Sequence, residues 1–381
     1  MCDKAKYSYT ADKAADAQGY GSRLWGWTKE ESVPYNSPRT LMVVPSRSPL
    51  SQLLRATEGS APLIILPHDN PDPDALASAA ALRFIVNQAQ EGKEILIAQG
   101  GIVGRAENRA MLRYLNITLV PVGEIDFSSN PQVALVDTQP GRINNSLPEH
   151  FSPTIVIDHH PAYGSYAAVP FLDLRDGYGA TSTILTEYLQ EAHIDVESKI
   201  ATALFYGINA ETQDLGREAT PKDIEACQFL YPYTNKRRLA KIENARVPRE
   251  YFKVFRDAVE EAILYDTVVI SVLHEVQYPD MVAEVADFLL RLDEAEWSMA
   301  IGHYNQSLYV SLRTTNRDVN AGEILQKVLG SKSAGGHDMI AGGRIKVTEK
   351  GVGVEKAAVR IKDRLLKAIG VDASSARDLV R

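Results

Sequence analysis

Cysteine is almost absent from this sequence: Cys2 and Cys227 are the only two in 381 residues. Two thiols make no disulfide framework, and their scarcity fits a reducing compartment, so a cytoplasmic location is expected. No apolar run approaches the roughly 18 residues that cross a bilayer, so no membrane span is expected. The first residues lack a basic stretch followed by an apolar one, and a secretory signal is not expected either. Positive charge is also in deficit, with 41 Lys and Arg against 49 Asp and Glu, a net charge of −8. That balance argues against tight, sequence-independent binding of long duplex DNA. It does not exclude a small anionic substrate held through metal ions.

What is present is the composition of an ordinary globular protein, 45% apolar and 24% charged, long enough for two domains with real cores. The most informative stretch is Leu63 to Ser78, LIILPHDNPDPDALAS. Leu63-Ile64-Ile65-Leu66 reads as a strand buried on both faces. A polar turn stiffened by Pro71 and Pro73 follows, and an Ala/Leu-rich helix begins near Asp74. His68, Asp72 and Asp74 are therefore delivered together at the carboxyl end of a strand, where open α/β sheets bind ligands. One imidazole and two carboxylates suit a divalent cation. The plainer reading is a helix-capping turn in which Asp72 or Asp74 bonds free amides.

Three later segments repeat the arrangement. Gln132 to Asp137 (QVALVD) and Thr154 to His160 (TIVIDHH) are apolar runs ending in metal-ligand types. Leu204 to Thr212 (LFYGINAET) is a fourth, ending in an acid. Four independent caps explain that set poorly. Together the segments resemble the DHH phosphoesterase superfamily, whose name is the triplet seen as Asp158-His159-His160. Gly335-Gly336-His337 resembles the signature of its DHHA1-type accessory domain. The resemblance covers roughly residues 45 to 350, and motifs combined in this order are specific.

The resemblance implies an α/β fold. A DHH domain with a mostly parallel, helix-covered sheet would face a smaller α/β DHHA1-type domain across a cleft. It also implies two divalent metals, manganese by preference and magnesium or cobalt as substitutes. His68 and Asp72 would hold the first metal, Asp74 and His159 the second, and Asp137 would bridge them. His160 would face the scissile phosphate, and Asp158 would orient a neighbouring imidazole. The fourth segment departs from the family, with Glu211-Thr212 after Gly207-Ile208 where Asp-Thr is usual. Register favours Glu211 as a ligand, and Asp214 is its rival. In the second domain Arg313, Gly335, Gly336 and His337 match substrate-binding positions, and the glycines would let backbone amides approach a phosphate.

In chain order, residues 1–45 form an arm with scattered Tyr and Trp, expected to pack on the body or on a neighbouring subunit; a homodimer is compatible. Residues 46–235 form the DHH domain. Strands are expected at 63–67, 94–98, 117–121, 132–137 and 154–158, and helices at 74–91, 105–114 and 179–192. The Gly177–Thr183 stretch opens the last of these helices, with its free amides offered to a phosphate or Thr181 as a simple cap. Residues 236–265 read as a helical linker, basic from Lys236 to Arg256, a run more often a solvated face than a nucleic-acid site. Residues 266–381 form the second domain, with strands at 268–273 (VVISVL), 297–303 and 307–313 and helices at 280–292 and 321–329. A Gly-rich loop, Gly342-Gly343 as a turn, and a closing helix at 354–369 complete it.

Domain order resembles the branch of nanoRNases and adenosine bisphosphate phosphatases, which implies a manganese-dependent phosphoesterase acting on short single-stranded RNA or DNA, or on 3′-phosphoadenosine 5′-phosphate. Alternatives are a RecJ-like single-strand exonuclease and a cyclic or linear dinucleotide phosphodiesterase. Inorganic pyrophosphatase shares the first domain but lacks the GGH element. A catalytically weak nucleotide-binding regulator is the reading of another class, favoured by Glu211.

Overall fold

The computed structural model of the chain describes residues 47–142, 144–347 and 352–380, with the side chains of His337 and Val352 outside that description. The expected arm over residues 1–45 lies wholly outside it.

The amino-terminal half alternates strand and helix. Its elements are α1 (Pro49–Ala56), β1 (Leu63–Pro67), α2 (Pro73–Ala89), β2 (Ile95–Gln99), α3 (Ala106–Leu115) and β3 (Val120–Pro121). They continue as β4 (Gln132–Val136), β5 (Ile155–Asp158), β6 (Phe171–Leu174), α4 (Thr181–Ala192) and α5 (Ser198–Glu211). The strands form one parallel sheet in the order β3-β2-β1-β4-β5-β6. Every residue of β1 is buried, which is why it is an unbroken apolar run. Leu63 and Ile65 join the core made with α2, α4 and α5, whereas Ile64 and Leu66 pack on the opposite face. Phe127, at the start of a 3-10 turn, and the loop residues Leu147 and Phe151 close that second face. Helices thus cover one side of the sheet. The β4–β5 and β5–β6 crossovers run as loops among the described residues, and the other side receives short 3-10 turns and loops rather than α-helices.

Local signals explain α2. Asp72 is its N-cap, accepting from the Ala75 amide at 3.0 Å, and Pro73 opens the first turn. Its alanines let α5 lie close. At Gly207 of α5 a Cβ would stand 2.6 Å from Ser182 Oγ and 3.2 Å from Asp74 Cα, so only glycine lets the helices meet there. Glu211 follows one turn later.

The helices α6 (Pro221–Leu230), α7 (Lys236–Glu243) and α8 (Arg249–Glu260) lead to a second sheet. The expected helical linker, 236–265, holds α7 and α8. Its last residues, Ile263–Tyr265, form β7 instead, because Ile-Leu-Tyr suits a pleated surface. There follow β8 (Val268–Glu275), α9 (Asp280–Leu289), β9 (Trp297–Tyr304), β10 (Ser307–Thr314) and α10 (Ala321–Leu329). The last elements are β11 (Ala334–His337), β12 (Ile340–Lys346), α11 (Val352–Ile369) and β13 (Ala376–Asp378). The sheet order is β11-β12-β10-β9-β8-β7-β13; β8 and β9 run parallel across α9, and the other neighbours are antiparallel. Helices α10 and α11 cover one face, and α8 and α9 the other.

The glycines of this domain correct an expectation. Gly335-Gly336-His337 lie in β11 and Gly342-Gly343 inside β12, so the expected loop and turn are a hairpin. Gly336 has φ +149°, and a Cβ there would sit 2.3 Å from the Ile340 carbonyl oxygen, so tight strand packing requires the glycine. Among the described residues no helix is long and apolar enough to cross a membrane.

Candidate metal centre

In the first sheet the order of strand addition reverses between β1 and β4, and a crevice opens at the carboxyl ends of such a pair. Pairing of Pro67 with Val136 brings His68 beside Asp137, and pairing of Val136 with Ile157 brings Asp158-His159-His160 to the same rim. Asp137 itself takes φ +59°, a left-handed backbone that aspartate tolerates better than most residues. Its amide donates to Ile157 at 2.9 Å, and its Oδ1 accepts from Thr181 Oγ1 at 2.9 Å.

Asp137 stands between two imidazoles. Its Oδ2 is 3.6 Å from His68 Nε2, and its Oδ1 is 3.6 Å from His159 Nε2. Asp72 Oδ2 is 3.6 Å from the same His68 nitrogen. These gaps are too wide for hydrogen bonds, yet a shared cation with bonds of about 2.0–2.2 Å spans them. Both rings are fixed from behind. His68 Nδ1 lies 3.0 Å from the Asp69 carbonyl and His159 Nδ1 3.0 Å from the Tyr178 carbonyl. A carbonyl only accepts, so each Nδ1 carries a proton and each Nε2 lone pair faces Asp137. His159 Nε2 is buried without a hydrogen-bond partner. An orphaned imidazole nitrogen among carboxylates is the pattern of a divalent-cation site, and the donor set fits one.

The remaining residues have mixed assignments. Asp72 caps α2 with Oδ1 and faces His68 with Oδ2, so the capping and ligand readings of this residue coexist. Asp74 is 1% exposed, and its two oxygens accept from the Thr181 and Ser182 amides at 2.7 Å each. The amides opening α4 thus face Asp74, and Thr181 donates to Asp137 rather than capping its own helix. Asp158 Oδ1 lies 2.8 Å from His160 Nδ1, and Oδ2 accepts from Gln139 Nε2 at 2.7 Å.

The electrostatics are those of packed carboxylates. Burial raises Asp137 well above the usual carboxylate range, and Asp74 and Asp72 add to it. Burial also disfavours charge on His68, but Asp72 and Asp137 outweigh it and push the imidazole up to about 10. The same contest, with Asp137 and Asp74 prevailing over burial, pushes His159 up to about 9. Burial and Asp72 push Glu211 up to about 7. Without a cation these donors hold protons instead.

The fourth segment is helix rather than strand: Glu211 ends α5, because LFYGINAE continues the helical period set from Ser198. Glu211 lines the cleft, whereas Asp214 is exposed and does not. Arg313 also reaches the cleft at 7% exposure, but Asp287 and the Leu312 and Ala341 carbonyls already bond it. Gly335 and Gly336 do not line the cavity. The backbone of His337 pairs with Ile340, and its side chain lies outside the described set.

The cleft is a cavity of about 450 Å³ lined from both sheets, by His68, Asp137, His160 and Glu211 on one side and Asp280, Asp287 and Arg313 on the other. A larger groove of about 960 Å³ on the second domain lies apart from these residues. The basic run of α7 and α8 does not line the cleft either. Sequence reasoning missed Gln139, Arg105, Arg217 and Asp287. Gln139 follows Asp137 by two positions, and that adjacency to a run ending in a ligand is the one local signal available.

Residues 62–208 match the DHH family, N-terminal domain, and residues 265–367 match the DHHA1 domain. The uncharacterized protein MJ1633 of Methanocaldococcus jannaschii is 34% identical over 82% of this chain. This chain spans 65% of that relative's length. A probable manganese-dependent inorganic pyrophosphatase of Lactobacillus gasseri is 25% identical over 62% of this chain and 77% of its own. An exopolyphosphatase-related protein from Bacteroides fragilis shares the fold, with a TM-score of 0.66 at 14% identity over 84% of this chain and 96% of that one.

Proposed function

Because this chain belongs to the DHH/DHHA1 phosphoesterase superfamily, we propose that it is a manganese-dependent hydrolase of short oligonucleotides, with two ions per chain. The observation that carries the reading is the position of Asp137 between His68 and His159, with the His159 Nε2 lone pair unpartnered. His68 and Asp72 would hold one ion and His159, Asp74 and Glu211 the other, with Asp137 shared. Bound there, the ions supply charge that polarises a phosphate and acidifies water at neutral pH.

The chain's own groups do the rest. His160, oriented through its Nδ1 by Asp158, would bind the scissile phosphate from the cleft side. Arg313, across the cleft, would hold a phosphate remote from the scissile bond. Water adds across one P–O bond, leaving a phosphomonoester on one product and a hydroxyl on the other. The gap between the two walls would then limit substrate length, and 3′-phosphoadenosine 5′-phosphate would be short enough to qualify.

Glu211 favours a second reading, a nucleotide-binding regulator with little turnover, because its longer side chain and raised pKa weaken one ion site. Steady-state kinetics with manganese on a length series separates these. Substrates of two to four nucleotides should outrun long single strands. Faster cleavage of the long strands would make the protein an exonuclease, and binding without turnover would make it a regulator.

A further inference from the structure

A second cavity of about 340 Å³ adjoins the cleft and shares Gln213, Arg217, Asp287 and Arg313 with it. Three arginines line it, Arg217, Arg313 and Arg317, against the single carboxylate of Asp287. Asp287 already pairs with Arg313 and Arg105. Arg217 Nη2 stands 3.8 Å from Glu211 Oε1, a carboxylate outside this second cavity, so within the cavity itself positive charge exceeds negative.

Arg217 is the unusual member. Its side chain is only 10% exposed, and Nη2 donates to the Glu211 carbonyl at 2.7 Å. Its Nε is buried with no hydrogen-bond partner. Capping the end of α5 accounts for Nη2 and leaves Nε unexplained. The approach to Arg217 is tightly defined. Gln213, Asp214 and Leu215 all take positive φ, at 48°, 57° and 63°. The Leu215 amide donates to Thr212 Oγ1 at 3.1 Å and the Arg217 amide to the Thr212 carbonyl at 2.8 Å. Three consecutive left-handed residues without a glycine are costly, and such backbone persists where surroundings enforce it. Here it delivers a guanidinium to the junction of two cavities, next to a residue of the candidate metal site.

The unpartnered Nε of Arg217 is a donor of the kind that phosphate oxygens accept from. We propose that Arg217 is a specificity-determining residue which, with the exposed Arg317 at the rim, binds a terminal phosphomonoester of the substrate. End-phosphorylated short nucleotides are then preferred over the same nucleotides with hydroxyl ends. This rests on the phosphoesterase reading above and adds a requirement to it.

The test compares kcat/KM, with manganese, for one dinucleotide carrying a 5′-phosphate, a 3′-phosphate or neither. One phosphorylated form should win by about tenfold or more, the gain of a charge-assisted contact. Both Arg217→Gln and Arg317→Gln should shrink that ratio toward one, and Arg217→Lys should keep part of it. Arg317 is exposed, so its variant reads the pocket even if Arg217→Gln fails to fold. A ratio near one in the wild type, or one unmoved by Arg317→Gln and Arg217→Lys, overturns the assignment while leaving the phosphoesterase standing. No turnover on any form overturns the phosphoesterase instead. Equilibrium binding of the three dinucleotides to the wild type and variants then decides Arg217 by the same ratio.

Discussion

Asp287 on α9 accepts a hydrogen bond from Arg313 Nε at 2.5 Å, one of the polar contacts that fix the wall of the cleft. Arg313 is 7% exposed, and its other partners are two backbone carbonyls. The second oxygen of Asp287 stands 3.5 Å from Arg105 in the first domain, so one carboxylate serves both walls.

Unequal burial decides what the two contacts contribute. Asp287→Ala would leave a buried guanidinium without its counter-charge, so a stability loss of about 1–3 kcal/mol is expected by denaturant titration. Asp287→Asn keeps an accepting oxygen and should lose less. The Arg105 contact is half-exposed and long, and Arg105→Gln should change stability by less than about 1 kcal/mol. A neutral Asp287→Ala would show that Arg313 is supported elsewhere.

Gln139 is fully buried and joins the loops around the triplet. Its Nε2 donates to Asp158 and to the His160 carbonyl, and its Oε1 accepts from the Tyr163 amide at 2.8 Å and Tyr166 Oη at 3.0 Å. Gln139→Ala should destabilise the protein by about 1–3 kcal/mol through the polar groups it orphans. It should lower kcat more than it raises KM, because Asp158 would hold His160 less firmly, with metal content by elemental analysis unchanged. Loss of metal in this variant would instead make Gln139 a support of the metal donors.

The centre was legible where one strand both buries itself and ends in donors. His68, Asp137 and the Asp158-His159-His160 triplet each follow such a run, and parallel pairing then sets them side by side. Glu211 was harder, since LFYGINAE looks the same as a short buried strand or as part of a helix. The Gly335–Gly343 stretch read as a loop because glycine usually marks one, yet close strand packing selects it at Gly336. Asp287 and Arg105 are far apart in sequence, and nothing local to either announces the partner. The loops covering the second face of the sheet were invisible for the same reason.

Glu211 and Asp214 compete for one ligand role, and the fold separates them. Gly207 seats α5 against Asp74, and the helix carries Glu211 into the cleft, while Asp214 sits on the exposed left-handed turn beyond. Glu211→Ala should weaken the second manganese by about 10-fold or more, as losing a carboxylate ligand does, and Asp214→Ala should leave it largely intact. A manganese titration giving the reverse order would make Asp214 the ligand.

Protons and cations contend for the same lone pairs, which fixes the sign of a pH effect. In the metal-free protein His68 holds its proton up to about 10, His159 up to about 9 and Glu211 up to about 7. Each donates to a cation only after losing that proton. Raising the pH strips protons from Glu211 first and from the histidines later, so the apparent manganese affinity should climb continuously from about pH 6 to 9. Proton release on binding should accompany it, measurable by calorimetry in buffers of different ionisation enthalpy. Asp137→Ala removes a main cause of both raised imidazoles and the ligand the ions would share. Its residual binding should therefore depend less steeply on pH, and its manganese content should fall from about two ions to one or fewer. Affinity that is flat across this range, or an Asp137→Ala variant that keeps full stoichiometry, would remove these residues from the metal site.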